Sequence, residues 1–85
     1  MTIKDYYSQL KSADDLISNH LHNKLSSVLR NIIPLVKDSE QKQQLVNFYR
    51  KCEELPLAKK GSEEYLEVRR ITYQVLEFIG ENLIN

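Results

Sequence analysis

The sequence predicts an all-α fold, an antiparallel up-down four-helix bundle, and three observations carry that expectation. Apolar residues recur at spacings of three and four along most of the chain, breakers are limited to two Gly and two Pro, and those breakers fall beside capping residues. No segment reads as a strand. Eighty-five residues make one domain, and 41% hydrophobic beside 28% charged residues is enough apolar content to fold. A chain of this size buries only about 60–65% of its unfolded surface, so the core must be thin.

The first helix is expected over residues 2–18, where Ile3, Tyr6, Tyr7, Leu10, Ala13 and Ile17 form one stripe opposite Lys4, Lys11 and Asp15. Ser12 and Asp15 have the spacing of a capping box that would start a new helix, but the stripe passes through them in phase. An uninterrupted helix follows from that. The second helix, 20–36, carries Leu21, Leu25, Val28, Leu29, Ile32 and Val36, and Pro34 must kink or loosen its last turn. One arm over residues 2–37 is the competing arrangement, and Ser18-Asn19-His20 argues against it. The third helix, 39–54, is capped by Asp38 or Ser39, aligns Leu45, Phe48, Tyr49 and Cys52, and stops before Pro56. Ser62 caps the fourth, 62–84, with Glu63 and Glu64 suiting its positive end. Short connections between successive helices place neighbours antiparallel.

Lys plus Arg and Asp plus Glu are 12 each, so nothing attracts the chain to a phosphate backbone, and nucleic acid is not an expected partner. The lone Cys52 cannot form an internal disulfide, the N-terminus lacks a basic-then-apolar leader, and no run nears the roughly 18 apolar residues of a membrane span. A soluble, cytoplasmic protein is the expectation. Arg50, Lys51, Lys59 and Lys60 form a mild basic patch diluted by Glu53 and Glu54, which allows peripheral contact with an anionic membrane surface at most.

Catalytic arrangements fail on geometry. His20 and His22 are two apart and diverge by about 200° on a helix, so they cannot share a metal there and read as exposed polar residues at a helix start. Cys52 lies on an apolar stripe without a nearby His and reads as a buried, inert thiol. Asp14 with Asp15, and Glu53 with Glu54, are adjacent and point apart, which does not suit a general acid and base. No phosphate-binding, nucleophile-elbow or zinc-ligand motif occurs. No catalytic residue, metal or cofactor is expected, and the chain reads as a binding protein rather than an enzyme.

The fourth helix carries more apolar residues than one bundle face needs. Tyr65, Val68, Thr72, Val75, Leu76, Ile79 and Leu83 centre the arc, with Ile71 and Phe78 on one flank and Leu66, Tyr73 and Ile84 on the other. Two adjacent helices of a bundle would cover both flanks; a partner would cover whatever they leave. The polar strip Glu63, Glu67, Arg70, Gln74, Glu77 and Glu81 is mostly acidic and reads as a solvated face. Among the tyrosines, Tyr6, Tyr49 and Tyr65 belong to core stripes, while Tyr7 and Tyr73 are candidate contact residues.

Taken with the length and the four amphipathic helices, the segments Gln44-Leu45-Val46-Asn47-Phe48-Tyr49 and Leu55-Pro56-Leu57-Ala58-Lys59-Lys60 resemble the enterocin A immunity family, the small immunity proteins of producers of class II, pediocin-like bacteriocins. The resemblance implies a cytoplasmic, monomeric protein that protects a Gram-positive bacterium by recognising a membrane receptor, the mannose phosphotransferase permease, with bacteriocin bound to it. It also implies that specificity sits in the C-terminal half, here Lys59, Lys60, Arg69, Arg70, Tyr73 and Phe78 as the candidate partner-binding residues. Many relatives carry a flexible tail after the fourth helix, whereas this sequence reads Asn82-Leu83-Ile84-Asn85 there, so recognition through a tail is not expected. The alternative is a small adaptor or regulatory protein that homodimerises or binds a partner protein through the fourth helix.

Overall fold

The computed structural model describes residues 2–13, 18–55 and 63–84. Four helices account for nearly all of them: α1 (Ile3–Ser12), α2 (Ser18–Ile32), α3 (Ser39–Glu54) and α4 (Glu63–Asn82), with a 3₁₀ turn at Ile33–Leu35 closing α2. No strand occurs among the described residues. Each helix packs on the next, α1 also lies against α4, and α2 meets α4 across the middle, so α2 touches all three of the others. That ring of neighbours is compatible with the up-down order. The molecule measures 35 × 22 × 18 Å, and α4, about 30 Å long at 1.5 Å per residue, is long enough to run most of its length.

The local chemistry explains the boundaries. At the start of α1, the Thr2 hydroxyl accepts from the Asp5 N–H (3.2 Å) while Asp5 Oδ2 accepts from the Thr2 N–H (2.8 Å), a reciprocal capping box. The Thr2 N–H and hydroxyl hold the Asp5 carboxyl below its ordinary value. This cap therefore supports α1 above the usual aspartate range and is lost as pH falls through the lowered value. Asp38 caps α3 by accepting from the Gln41 N–H at 2.9 Å, and α3 ends at Leu55, immediately before Pro56. Pro34 sits in the first positions of the 3₁₀ turn, where its missing N–H costs nothing, so α2 gives way there as expected.

Several boundaries differ from the sequence reading: α2 ends at Ile32 rather than at residue 36, with the 3₁₀ turn beyond it, and α4 ends at Asn82 rather than at residue 84. The first helix does not run to Ser18 but stops at Ser12, and α2 begins at Ser18 rather than at residue 20. Ser12 turns its hydroxyl back onto the Ser8 carbonyl (2.9 Å), and the Ala13 N–H bonds to the Leu10 carbonyl, three residues back, instead of to that of Gln9, one residue further. Both contacts tighten and end the last turn. Asp14, Asp15, Leu16 and Ile17 lie outside the described residues.

The core is assembled from Leu10 of α1 and its capping residue Ala13, the Leu21, Leu25, Val28, Leu29 and Ile32 stripe of α2, Leu45 and Cys52 of α3, and Val68, Ile71, Val75 and Ile79 of α4. Thr72 is buried among them, and its hydroxyl is satisfied by donating to the Val68 carbonyl at 2.8 Å. Gly80 lies in the last turns of α4, where Tyr7 of α1 closes over it, and a methyl group added there would sit 3.6 Å from Tyr7 Oη. That is ordinary contact distance. Since a helical glycine costs roughly 0.5–1 kcal/mol relative to alanine, Gly80→Ala is expected to raise the unfolding free energy by about that amount, read from denaturant melts.

Candidate functional site

α4 separates its apolar residues into two unequal sets. On the inner side, Ile71 is buried, and Phe78 is half-buried with its ring edge-on to Phe48 of α3, centroids 6.1 Å apart. The bundle itself covers that flank. On the other flank Leu66 remains 60% and Tyr73 50% exposed, so neither neighbouring helix closes over them. Leu66, Tyr73 and Glu77 are spaced by seven and four residues, which places them along one line of the helix, away from Val68 and Val75. Around that line lies an open groove of about 460 Å³ bounded by Leu66, Arg69, Arg70, Tyr73, Gln74 and Glu77. A smaller hollow of about 230 Å³ adjoins it through Gln74 and Glu77, reaching Phe48, Phe78 and Glu81.

The tyrosine in this groove is held in place. Arg69 Nη2 donates to the Tyr73 hydroxyl at 2.6 Å, and its guanidinium lies over the ring, 5.6 Å from the centroid. An exposed aromatic fixed by a cation loses little freedom when something docks on it. Arg70 pairs with Glu67 at 3.3 Å on the solvent side, a weak, screened contact that leaves its charge at the groove edge. The sequence-derived candidates thus divide. Arg69, Arg70 and Tyr73 come together in one groove; Phe78 lines the adjoining hollow but is anchored on Phe48; Lys59 and Lys60 lie outside the described residues. Leu66, Gln74 and Glu77 complete the lining. The seven-residue spacing of Leu66 and Tyr73 signalled this face, because two residues that far apart share one side of a helix.

A second feature overturns a sequence expectation. His22 is not an exposed residue at a helix start; it is 8% exposed and faces α3, with Nε2 bonded to the Cys52 carbonyl at 2.8 Å. The Cys52 thiol in turn points at the His22 carbonyl, 3.9 Å away. A carbonyl only accepts, so Nε2 carries a proton, and Nδ1 is buried without a partner among the described residues. Beside it the Ser26 hydroxyl donates to Glu53 Oε1. His22, Leu25 and Leu29 share the spacing of one helical face, so the ring belongs to the inner stripe despite its polarity. Tyr7, expected near an edge, is likewise packed against the core.

The histidine does not activate the cysteine, because the bonded ring nitrogen is taken by a backbone carbonyl rather than the sulfur. Burial pushes the Cys52 thiol up to about 12, with Glu53 adding to the effect. Two outcomes are expected. Cys52 should resist iodoacetamide in the native protein and react once it is unfolded. Unfolding free energy should also fall between pH 9 and 12, since the unfolded chain loses the thiol proton first, and Cys52→Ala should flatten that part of the profile.

A third depression, about 430 Å³ in the corner of α1 and α2, is lined by Ser8, Gln9, Ser12, Ala13 and Lys24, small or polar groups without an aromatic anchor. No group of three or more His, Cys, Asp or Glu placed to hold a metal occurs among the described residues. No helix among them is long and apolar enough to cross a membrane. Compared with family models, curated proteins and solved structures, the chain matches none.

Proposed function

We propose that this chain is a bacteriocin immunity protein that protects its cell from a class II bacteriocin, and that the outer face of α4 is its working surface. The observation that carries the reading is the pair Leu66 and Tyr73, large apolar groups left open on one line of the helix and flanked by Arg69 and Arg70. Exposed aromatic and arginine residues at one place are the usual anchors of protein recognition. The four-helix architecture and the segments ending at Phe48-Tyr49 and Lys59-Lys60 support the family resemblance. The partner is the membrane receptor of mannose phosphotransferase permease type with bacteriocin bound, engaged from the cytoplasmic side. Binding is the activity, with no reaction catalysed.

Membranes from a bacteriocin-sensitive lactic-acid bacterium provide the test. The purified chain should sediment with them when the matching class II bacteriocin is added and stay in the supernatant without it. Absence of sedimentation across a panel of these peptides, or equal sedimentation without any peptide, would overturn the reading.

A further inference from the structure

Arg69 and Arg70 are adjacent in sequence and differ in what they touch. The Arg70 side chain stands in solvent beside Glu67. Arg69 is half-buried and meets Tyr73, one turn ahead, at two points, the hydroxyl and the ring. Tyr73 is half in solvent, so the cation lies behind and the ring in front. A tyrosine on a helix has two χ1 rotamers open to it, near 180° and −60°, and they carry the ring to different places on the surface. A hydrogen bond at the hydroxyl fixes the far end of the side chain, and the guanidinium against the ring favours the one rotamer that keeps both contacts. We infer that Arg69 is a positioning residue of the outer face of α4: it acts through Tyr73, holding the ring in a single rotamer so that the anchor is presented ready-made.

The inference rests on the proposed function for what this face does, and deepens it by separating the residue that holds from the residue that is held. The Tyr73 hydroxyl is spent on Arg69 of its own chain, and the ring is what a partner meets. A side chain leaning toward the N-terminus of its helix covers the turn before it, so the fixed ring fills the span between Tyr73 and Leu66 and joins them into one apolar strip. A side chain ordered before binding does not have to be ordered by it, which is where the gain in affinity arises.

Two readouts on the full chain test it, with native circular dichroism showing that each variant is folded. The first needs no bacteriocin: three-bond NMR couplings from the backbone nitrogen and carbonyl carbon to Cγ of Tyr73 report χ1 in the free protein. They should show one dominant rotamer in the wild type and averaged values in Arg69→Gln. Arg69→Lys should return part of the way, since it keeps a donor and a cation but not the planar fork. The second readout is sedimentation with receptor-bearing membranes and bacteriocin. Arg69→Gln should weaken it roughly three- to tenfold, but less than about twofold when Tyr73→Leu is already present, because the arginine then has no ring to hold. Wild-type couplings that are already averaged, or that Arg69→Gln leaves unchanged, would overturn the inference. So would a loss from Arg69→Gln as large beside Tyr73→Leu as in the wild type, which would make Arg69 a direct contact. A single Tyr73 rotamer released by Arg69→Gln, in a chain that never sediments with bacteriocin, would confirm the hold on the ring and overturn the proposed function instead.

Discussion

Replacing Leu25 by alanine is expected to remove about 3–4 kcal/mol of unfolding free energy. The side chain is wholly buried in the middle of α2, which packs against all three other helices. Removing three carbon atoms there opens a void between helices that cannot each move in to fill it without losing contacts elsewhere, so the lost transfer energy and the cavity add. A domain of this size has a total stability of roughly 4–13 kcal/mol, which makes this one change a large part of the whole. Urea unfolding should show a much lower midpoint with little change in slope. Leu66→Ala, at an identical side chain on the outer face, should change the unfolding free energy by less than about 0.5 kcal/mol. A loss at Leu66 as large as that at Leu25 would mean that the outer face is part of the core.

His22→Ala is expected to cost about 2–3 kcal/mol. Cys52 lies in the last turn of α3, where carbonyls lack an intrahelical partner, and the His22 ring reaches across from α2 to supply a donor. The Leu55 N–H approaches the same carbonyl at 3.3 Å, so truncation leaves one weak donor in place of two. The lost bond and the lost packing of a buried ring both contribute. His22→Gln keeps a donor at about the reach of Nε2 and should recover part of the loss, whereas His22→Leu restores volume but no donor. If Leu proved as good as wild type, the ring would be acting by volume alone. The unsatisfied Nδ1 already subtracts from the net benefit of the histidine, which keeps the expected figure below that for a core leucine.

These elements also show where a sequence speaks and where it is silent. The ends of α3 were readable because Asp38 and Pro56 impose them chemically, one by capping and one by removing a donor. At Pro34 the loosening of the last turn of the second helix was readable for the same reason, although the α-helix itself ends at Ile32 and not at residue 36. The end of α1 was not, since Ser12 is a weak breaker and Ala13 a strong helix former; the stop depends on a back-bond from Ser12 that spacing alone does not reveal. His22 was misread because an apolar stripe counts only apolar residues, and a histidine enters a core when a distant carbonyl accepts from it. Cys52 was read correctly as buried, but its neighbour on α2 was not, because that contact joins residues 30 apart in sequence. For α4, the sequence defined two apolar flanks and packing decided between them. Phe48 met Phe78 on one side, while Leu66 and Tyr73 stayed exposed on the other.

The exposed flank therefore bears the functional claim, and survival under bacteriocin tests it most directly. A sensitive lactic-acid bacterium expressing the chain would be challenged with a panel of class II bacteriocins, beside the same strain expressing Leu66→Ser with Tyr73→Ser at matched protein level. The account predicts protection by the wild-type chain against one or a few of the peptides and loss of that protection in the double variant, whose buried core is untouched. It is contradicted if the well-expressed wild-type chain protects against none of them, or if the double variant protects as well as the wild type.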